Sequence, residues 1–547
     1  MEKTTTFPVR YTVYALSIAG FFASLIASFY TSAGYLFAFI FGVLAALGTY
    51  DLLQRKHTVS RNYPILANFR YLLEAIGPEI RQYFIQSDTE ERPFSREQRT
   101  IVYQRAKNVL DKRPFGSQLG MYDEGFEWMN HSLKPTRISD SNFRILIGKH
   151  CAKPYSASVF NISAMSFGSL SANAILSLNT GAKLGDFYHD TGEGSISRYH
   201  RQPGGDLVWE IGSGYFGCRH KDGSFNEDMF RENANLDQVK MIEVKLSQGA
   251  KPGHGGILPG AKVTPEIAEA RGVSVGEDCV SPASHSAFST PLELLEFLDH
   301  LRDLSGGKPV GLKLAIGHPW EWFAIVKAML ETGRKPDFIV VDGGEGGTGA
   351  APLEFINRLG MPLTEALLLV HNTLVGTSLR DDIAIGAAGK ITSAFNIART
   401  LALGADWCNS ARGYMFSLGC IQALNCHTGR CPSGVATQDP RRGEKLDVEL
   451  KSQRVFNFHK NTLDALQNLL EASGLRHPSE LGPEHVVRRL SKTEVHSYMD
   501  LFPYLEPGAL FEGDTGHMVF DKYWPNASSA TFDPPEFILK LRETKLR

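Results

Sequence analysis

The chain has 547 residues, of which 43% are hydrophobic and 21% are charged, and its formal net charge is −2. This length is enough for one large domain with attached segments. A near-neutral charge argues against a nucleic-acid partner. The seven cysteines are an odd number, and most of them are scattered along the chain. Such usage argues against a disulfide framework and indicates a reducing compartment.

The N-terminal region predicts a membrane hairpin. Residues 11–50 contain no Asp, Glu, Lys, Arg or His. One membrane helix needs about 20 apolar residues. We therefore expect two spans, at 11–30 and 34–52, with a turn near 31–34. The basic residues that flank this run are Lys3, Arg10, Arg55, Lys56 and Arg61. Positive flanks predict a multi-pass protein of the cell membrane with both ends in the cytoplasm. The alternatives are a signal peptide, which has a shorter apolar region, and a buried soluble hairpin.

Four regions follow from the patterning. They are a transmembrane hairpin at 1–56, an N-terminal approach segment at 57–150, a barrel at 151–440 and a helical capping segment at 441–547. In the approach segment, Ser95 has the position of a helix N-cap. In the capping segment, apolar residues at helical spacing predict a helix over 448–473 that ends at Gly474.

The region 151–440 alternates short apolar runs with helix-like segments. Eight runs are candidate strands: Val159–Met165, Asp186–Thr191, Leu207–Gly212, Met241–Leu246, Val310–Ala315, Phe338–Asp342, Ile383–Gly386 and Asp406–Ser410. Several are rich in Val and Ile without alternation, which is typical of strands buried on both faces. Eight such units predict an α/β fold of the (β/α)8 TIM-barrel type, with the site at the carboxyl ends of the strands. Periodicity alone leaves a doubly wound sheet open.

Three cysteines lie within twelve residues near the end of this region. Cys420, Cys426 and Cys431 share one stretch, and Cys431 is followed by proline. One loop with this spacing can wrap an inorganic centre from three sides, and thiolates suit iron–sulfur clusters or zinc. A closed structural zinc site takes four ligands, so three cysteines argue against it. Three buried thiols without a metal are the plain alternative.

Five motifs carry a resemblance to a known family. They begin Ser163-Ala-Met-Ser-Phe-Gly, Asp190-Thr-Gly-Glu-Gly, Gln248-Gly-Ala-Lys-Pro-Gly, Asp342-Gly-Gly-Glu-Gly-Gly-Thr-Gly and Cys420-x5-Cys-x4-Cys-Pro-x-Gly-Val-Ala-Thr-Gln. In this order they resemble the central FMN-binding domain of glutamate synthase, with its 3Fe–4S loop. The resemblance covers about residues 150–475. The chain departs from the family at Asp190, where Asn is usual, at Tyr215, where Arg is usual, and at His254, where Glu is usual.

The resemblance implies two cofactors, FMN and a 3Fe–4S cluster held by the three cysteines. Lys313, inside an apolar strand where an unpaired charge is costly, resembles the cation at the pyrimidine end of the flavin. Glycine-rich loops expose backbone N–H groups, and TIM barrels often bind phosphate in loops seven and eight. The candidate flavin residues are Ala164, Met165, Ser166, Gln248, Lys313, Gly343, Gly344, Gly346, Gly347, Gly389, Lys390 and Arg412.

The resemblance also implies a site for a 2-oxo acid. Lys251 and Arg271 match residues that bind this substrate, and Glu193 matches a residue on its side of the flavin. A fixed ammonium can bind a carboxylate and stabilise developing negative charge. A guanidinium can grip a carboxylate with two hydrogen bonds. These three residues are the catalytic candidates.

The resulting hypothesis is an oxidoreductase acting on CH–NH2 donors. It reduces an imine of a 2-oxo acid similar to 2-oxoglutarate, with electrons from ferredoxin or a separate NAD(P)H reductase subunit. Because the resemblance includes no amidotransferase region, glutamine hydrolysis is not expected. One alternative is a membrane-tethered flavin dehydrogenase that oxidises an amino or hydroxy acid with quinone as acceptor. A second is a non-enzymatic redox sensor.

Overall fold

A computed structural model describes residues 9–54, 58–85, 92–109 and 111–545. The chain divides into two compact units, Met1–Glu91 and Arg92–Arg547. Three basic residues used to orient the hairpin, Lys3, Arg55 and Lys56, lie outside the described residues.

Two apolar helices dominate the first unit. A short turn at Val9–Tyr11 leads into the helix Thr12–Ala27, and a second helix covers Ala33–Leu53. The helices pack closely, since a Cβ at Gly20 would lie 2.9 Å from the ring of Phe41. With the turn included they have 19 and 21 residues and mean hydropathies of 1.5 and 2.0. The predicted hairpin is confirmed, and by length and composition both helices are able to cross a membrane.

Three further helical segments follow the hairpin: Thr58–Asn62, Leu66–Ile80 and the π-helical turn Arg81–Ile85. Asp51, buried near the end of the second apolar helix, accepts hydrogen bonds from Ile65 N (2.9 Å) and Asn68 Nδ2 (2.6 Å). This carboxylate therefore fixes the start of Leu66–Ile80 against the hairpin.

A closed barrel of eight parallel strands forms the second unit. In chain order they are β1 (Phe160–Ile162), β2 (His189–Asp190), β3 (Leu207–Ile211), β4 (Val239–Lys245), β5 (Val310–Leu314), β6 (Phe338–Asp342), β7 (Ala384–Ala388) and β8 (Trp407–Ser410). Each strand pairs with the next, and β8 pairs with β1. Every strand overlaps one of the eight predicted runs. The TIM barrel is confirmed, and the doubly wound alternative is wrong.

Helices and short turns connect the strands. The helices are Ala172–Leu184, Arg198–Arg201, Glu227–Ala234, Pro265–Arg271, Pro291–Leu304, Pro319–Thr332, Leu353–Arg358, Leu363–Gly376, Ala394–Ala402, Arg412–Leu418 and Pro440–Gly443, with 3-10 turns at Gly260–Lys262 and Cys426–Thr428. Several begin at a side-chain cap, since Ser171, Thr290 and Ser393 each accept a backbone N–H of the first turn. Strands β3 and β5 are buried along their whole length, as expected for strands covered by helices.

The two predicted flanking helices are present. The helix Arg96–Ala106 begins at Ser95, which forms a capping box with Gln98. The long helix Val448–Ala472 buries Val455, Phe458, Leu463, Leu466 and Leu470. It packs against Ala172–Leu184, where a Cβ at Gly181 would lie 2.5 Å from the side chain of Val455.

Short antiparallel sheets were not predicted. The strand Glu127–Met129 pairs with Val486–Arg489, which pairs with Val495–Ser497. The approach and capping segments therefore share one sheet. Two-stranded sheets join Arg144–Ile147 to Tyr155–Ser158 and Gly256–Leu258 to Cys279–Ser281. The remaining helical segments are Pro478–Glu480, Pro483–His485, Tyr498–Leu501, Ala509–Glu512, Met518–Tyr523 and Glu536–Lys545.

Candidate active site

A cavity of about 1150 Å³ opens at the carboxyl ends of the barrel strands. Most of the predicted flavin residues line it: Ala164, Gln248, Lys313, Gly344, Gly346, Gly347, Gly389, Lys390 and Arg412. The three clustered cysteines, Cys420, Cys426 and Cys431, line the same cavity. The fold thus brings the cysteine loop and the glycine-rich loops to one space.

Three predicted flavin residues do not line this cavity. Met165 is buried beneath the loop that follows β2, and Ser166 Oγ lies 3.1 Å from Ser169 Oγ. Gly343 N donates to the Ala388 carbonyl. Gly192 has a φ of +66°, and a Cβ there would lie 2.7 Å from Ser166 N. Glycine at 192 is therefore required for the β2 loop to pack on the β1 loop.

The cysteine loop follows the helix Arg412–Leu418 and is anchored to its surroundings. Cys420 N donates to the Met415 carbonyl (3.0 Å), and the Cys420 carbonyl accepts from the Tyr103 hydroxyl (2.6 Å). Thr437 Oγ1 donates to the carbonyl of Gly429 across the loop. These bonds fix the backbone from which the thiols project.

The thiols differ in their tendency to ionise. Burial raises the pKa of Cys420 to about 11, with the neighbouring Arg412 charge opposing that rise. Burial would also raise the pKa of Cys431, but the Ser433 hydroxyl and several backbone N–H groups lower it overall. Donors that converge on one sulfur favour the thiolate, which is the form that binds metals.

The donor set fits a polynuclear centre with three protein ligands. The other four cysteines, Cys151, Cys218, Cys279 and Cys408, do not line the cavity. Within the described ranges, only Asp190, Glu210 and Glu243 bring three ligand atoms within 4.8 Å of one another. The three cysteine sulfurs therefore do not all lie within 4.8 Å of one another. Soft thiolates at wide spacing suit an iron–sulfur cluster.

A network of charged side chains fills the barrel interior below the cavity. Lys313 Nζ lies 2.6 Å from Glu210 Oε2 and 3.8 Å from Glu243 Oε1. Lys245 Nζ lies 3.4 Å from Glu210 Oε1. In the strand register Glu210 is opposite Glu243, and Lys245 is opposite Lys313. Like charges are thus direct neighbours in the strand register. The ion pairs that offset their repulsion join residues at diagonal positions on the strands.

These ion pairs keep Lys313 charged. Burial alone would lower the pKa of Lys313, but the carboxylates of Glu210 and Glu243 raise it well above its usual value. Burial and the charge of Glu210 raise the pKa of Asp190 to about 7. Burial and the charge of Asp190 raise the pKa of Glu243 well above its usual value. Burial and mutual repulsion therefore favour a proton on the Asp190–Glu243 pair.

Two of the three predicted substrate residues lie together beside this network. Glu193 Oε2 lies 2.8 Å from Lys245 Nζ. A Cβ built at Gly256 would lie 3.3 Å from Lys251 Nζ and 3.5 Å from Glu193 Oε1, so both charged groups face this glycine. They line a second cavity of about 30 Å³, roughly the space of one water. Gln248 borders both cavities and so connects them.

Glu193 is held in its charged form. Burial would raise the pKa of its carboxyl, but the charges of Lys245, Lys251 and Arg271 lower it to about 2. Burial lowers the pKa of Lys251, and the Glu193 carboxylate opposes that change.

Arg271 lies away from both cavities. Its Nη2 donates to the Phe167 carbonyl (3.3 Å), Nη1 lies 3.6 Å from Cys279 Sγ, and the guanidinium carbon is 5.2 Å from the ring centre of Phe216. Its Nε is buried without a hydrogen-bond partner. The structure therefore does not bring Arg271 together with Lys251 and Glu193 at a cavity wall.

The departure at Tyr215 has a local structural role. This buried side chain places its hydroxyl 3.1 Å from His285 Nδ1, and it accepts a hydrogen bond from Ala287 N (3.1 Å). His285 Nε2 in turn lies 2.9 Å from the Lys245 carbonyl. Tyr215 therefore anchors the loop that follows Ser281 to the end of β4.

Comparisons with known proteins agree with this geometry. The conserved region of glutamate synthase matches residues 129–476. A relative from Bacillus subtilis, the glutamate synthase large subunit-like protein YerD, is 40% identical over 83% of this chain and 95% of its own. An archaeal-type glutamate synthase [NADPH] from Thermotoga is 33% identical over 61% of this chain and 62% of its own. The chain belongs to the glutamate synthase family.

For this member of the glutamate synthase family, the predicted enzyme class is confirmed at the level of the family, whose enzymes are oxidoreductases acting on CH–NH2 donors.

Among solved structures, a mutant flavocytochrome b2 with pyruvate bound aligns over 82% of this chain and 90% of its own, at 12% identity and a TM-score of 0.42.

Sequence reasoning missed Lys245, Glu210 and Glu243. The signal was present, since each is a charged residue inside an apolar strand, as Lys313 is. An unpaired charge in such a strand is costly, so several on neighbouring strands indicate mutual pairing. The sequence does not give the strand register, and without the register the ion pairs cannot be assigned.

Proposed function

We propose that the chain is an FMN- and 3Fe–4S-dependent oxidoreductase that reduces the imine of a 2-oxo acid, such as 2-oxoglutarate, to an amino acid. The single observation that carries this proposal is the cavity of about 1150 Å³ that three cysteines and the glycine-rich loops line together. One shared cavity supports direct electron transfer between a cluster and a flavin. The name of the Thermotoga relative supports a glutamate-forming reaction.

The residues present fit FMN. Ligand pockets commonly measure about 300–1000 Å³, so this cavity has room for a flavin beside a cluster. A Cβ at Gly347 would lie 3.0 Å from Arg412 Nε, so this loop approaches the Arg412 side chain closely. Lys390, an exposed residue that lines the cavity after β7, supplies a cation where TIM barrels often hold phosphate. Lys313 supplies a fixed positive charge on the wall of the same cavity.

When bound, the flavin supplies hydride transfer and the cluster supplies one-electron transfer. The chain's own residues bind the substrate and handle protons. Because burial lowers the pKa of Lys251, its Nζ gives up a proton more readily than a free lysine does. Lys251 thus suits a role as donor to the substrate nitrogen. Glu193 stays ionised at neutral pH and therefore orients Lys251 and Lys245.

Arg271 remains our candidate for the substrate carboxylate. To reach the cavity of Lys251, its guanidinium must leave Phe216 and the Phe167 carbonyl. The small size of that cavity supports such an opening on substrate binding, because 2-oxoglutarate is far larger than one water.

The test is an anaerobic purification of the full chain in detergent. The proposal expects a flavin spectrum, the EPR signal of an oxidised three-iron cluster, and glutamate formation from 2-oxoglutarate and ammonium with a chemical reductant. A colourless protein after addition of FMN, iron and sulfide would overturn it.

The electron donor is proposed to be a separate protein, ferredoxin or an NAD(P)H reductase subunit. Addition of reduced ferredoxin should bleach the flavin absorbance of the purified chain. A control with ferredoxin heated before use should leave the absorbance unchanged. Bleaching by NADPH alone would contradict the need for a separate donor.

We also propose that the first unit tethers the chain to the cell membrane, with the catalytic unit in the cytoplasm. The two apolar helices support this, as do Arg10 before the first helix and Arg61 after the second. Carbonate washing should leave the full chain in the membrane fraction. Its release by carbonate would count against a spanning hairpin.

A membrane tether also supports a second candidate, a dehydrogenase that passes electrons from an amino or hydroxy acid to quinone. The detergent-solubilised chain would then reduce a soluble quinone with glutamate as donor. Absence of quinone reduction, together with glutamate formation, would favour the first candidate.

A further inference from the structure

Arg412 lies between the glycine-rich loop after β6 and the cysteine loop. Its Nη2 donates to the Thr348 carbonyl (2.5 Å), and its Nη1 lies 3.2 Å from Met415 Sδ and 3.9 Å from Cys426 Sγ. The side chain is half-buried and lines the large cavity. A guanidinium is thus held next to one of the three clustered sulfurs.

This placement differs from the role expected for the region. The loops after β7 and β8 suggest phosphate binding, and the backbone near Arg412 remains available for that. The side chain, however, places Nη2 on the Thr348 carbonyl and Nη1 against the sulfur atoms of Met415 and Cys426. Its charge therefore acts on the cysteine loop.

We propose that Arg412 sets the reduction potential of the centre held by Cys420, Cys426 and Cys431, through its positive charge beside Cys426. The inference rests on the proposed iron–sulfur centre. One-electron reduction adds one negative charge to such a centre and needs no proton. A fixed positive charge close to a ligand sulfur stabilises the reduced form and so raises the potential.

The contacts of Arg412 explain why arginine suits this position. The planar guanidinium presents several N–H donors in a rigid fork, and three atoms on different segments receive them. A lysine would keep the charge but would reach fewer of these atoms at once. The charge is therefore the tuning element, and the fork fixes its distance from the sulfur.

Arg430 provides a matched control on the same loop. It precedes Cys431 directly, but its side chain is exposed. Water and salt screen an exposed charge far more than a half-buried one. Removal of either arginine subtracts one positive charge next to a ligand cysteine, so only the setting of the charge differs between them.

The experiment is an EPR-monitored redox titration of the full chain carrying Arg412→Gln, Arg412→Met, Arg412→Lys or Arg430→Gln. Both neutral variants at 412 should raise the ratio of oxidised to reduced centre about tenfold at a fixed potential, a fall of about 59 mV for one electron. Arg412→Lys and Arg430→Gln should each stay within about twofold of the wild type.

Three results would overturn the inference. One is a midpoint in Arg412→Gln and Arg412→Met equal to that of Arg430→Gln. Another is loss of the centre in both neutral variants while Arg412→Lys is normal, which would assign Arg412 to assembly. The third is a wild-type chain with no iron–sulfur signal, which would remove the proposed function as well. Iron content of each variant distinguishes these cases.

Discussion

The large cavity and the charged interior of the barrel meet at Lys313 but are built in opposite ways. Glycines and three cysteines line the cavity, together with charged residues such as Lys313, Lys390 and Arg412. The interior is closed, with Lys313 and Lys245 within 4 Å of Glu210 and with Lys313 3.8 Å from Glu243. In our proposal the first region receives the cofactors, and the second sets the electrostatic field around them.

The difference explains which residues a sequence reveals. Cavity residues form contiguous motifs because one loop must wrap one ligand. The interior charges come one or two per strand and meet only when the barrel closes. Changes in the two regions should therefore have different effects, loss of a cofactor in one and loss of stability in the other.

The largest expected effect is in the cavity. Cys431→Ser should abolish the iron–sulfur centre, because three thiols have no spare ligand within the described lining. The measurement is iron per chain together with the EPR signal. Cys151→Ser, outside the cavity, is the control and should keep full iron. Retention of the centre in Cys431→Ser would mean that the cysteine loop is not its site.

The next effect is in the interior. Lys313→Met removes the buried cation 2.6 Å from the Glu210 carboxylate, which should cost about 3–5 kcal/mol of unfolding free energy. Urea unfolding of the full chain measures this. Lys335→Met breaks a half-exposed pair with Asp382 and should cost only about 0–1 kcal/mol. Equal losses of unfolding free energy in both variants would show that the interior pair stabilises the fold no more than the surface pair does.

A smaller effect is expected at the small cavity that Lys251 lines beside the charged interior. Lys251→Met should lower kcat/KM about 10²–10³-fold, about 2.7–4 kcal/mol, with flavin and iron content unchanged, because a positioned donor is lost. Steady-state kinetics with 2-oxoglutarate measure this. Lys221→Met, on an exposed loop, should leave kcat/KM unchanged. Wild-type kinetics in Lys251→Met would show that Lys251 does not act in the reaction.

The last expected effect is a pH dependence of stability. The pKa of Asp190 is raised to about 7 in the fold, above its unfolded value of about 3.9. The folded state thus binds more protons between these values, and wild-type stability falls as pH rises through this window and then levels off. Asp190→Asn removes this buried acid and should raise stability clearly at pH 8, with little gain at pH 4.

Thermal unfolding at both pH values measures the Asp190 effect. Asp186→Asn is the control, because Asp186 is exposed and lies outside the network. A gain for Asp190→Asn that is equal at pH 4 and pH 8 would show that the buried carboxyl pair does not titrate in this range.

Local patterns predicted much of the fold. The forty uncharged residues and the eight apolar runs set the hairpin and the barrel, because burial of a helix or strand imposes its period on the sequence. Ser95 and Gln98 fixed a helix start through their own hydrogen bonds. The cysteine spacing predicted a loop. In the structure this loop lines a cavity together with the glycine-rich segments.

Other features were beyond any local pattern. The sheet that joins Glu127–Met129 to Val486–Arg489 pairs segments more than 350 residues apart, and short strands of this kind carry little signal of their own. Arg271 occupies a matching motif, yet its side chain stacks on Phe216. The partners of a long side chain depend on which distant segments surround it.

By itself, the sequence determined the apolar helical hairpin, the eight strands and the candidate site residues, because these depend on hydrophobic period and on short runs of specific side chains. Only the tertiary structure decided that Arg412 faces Cys426, that Lys245 joins Glu193 to Glu210, and that Arg271 lines neither cavity. Ion pairs and sulfur contacts act over about 4 Å, and only barrel closure brings residues from distant strands and loops within that range.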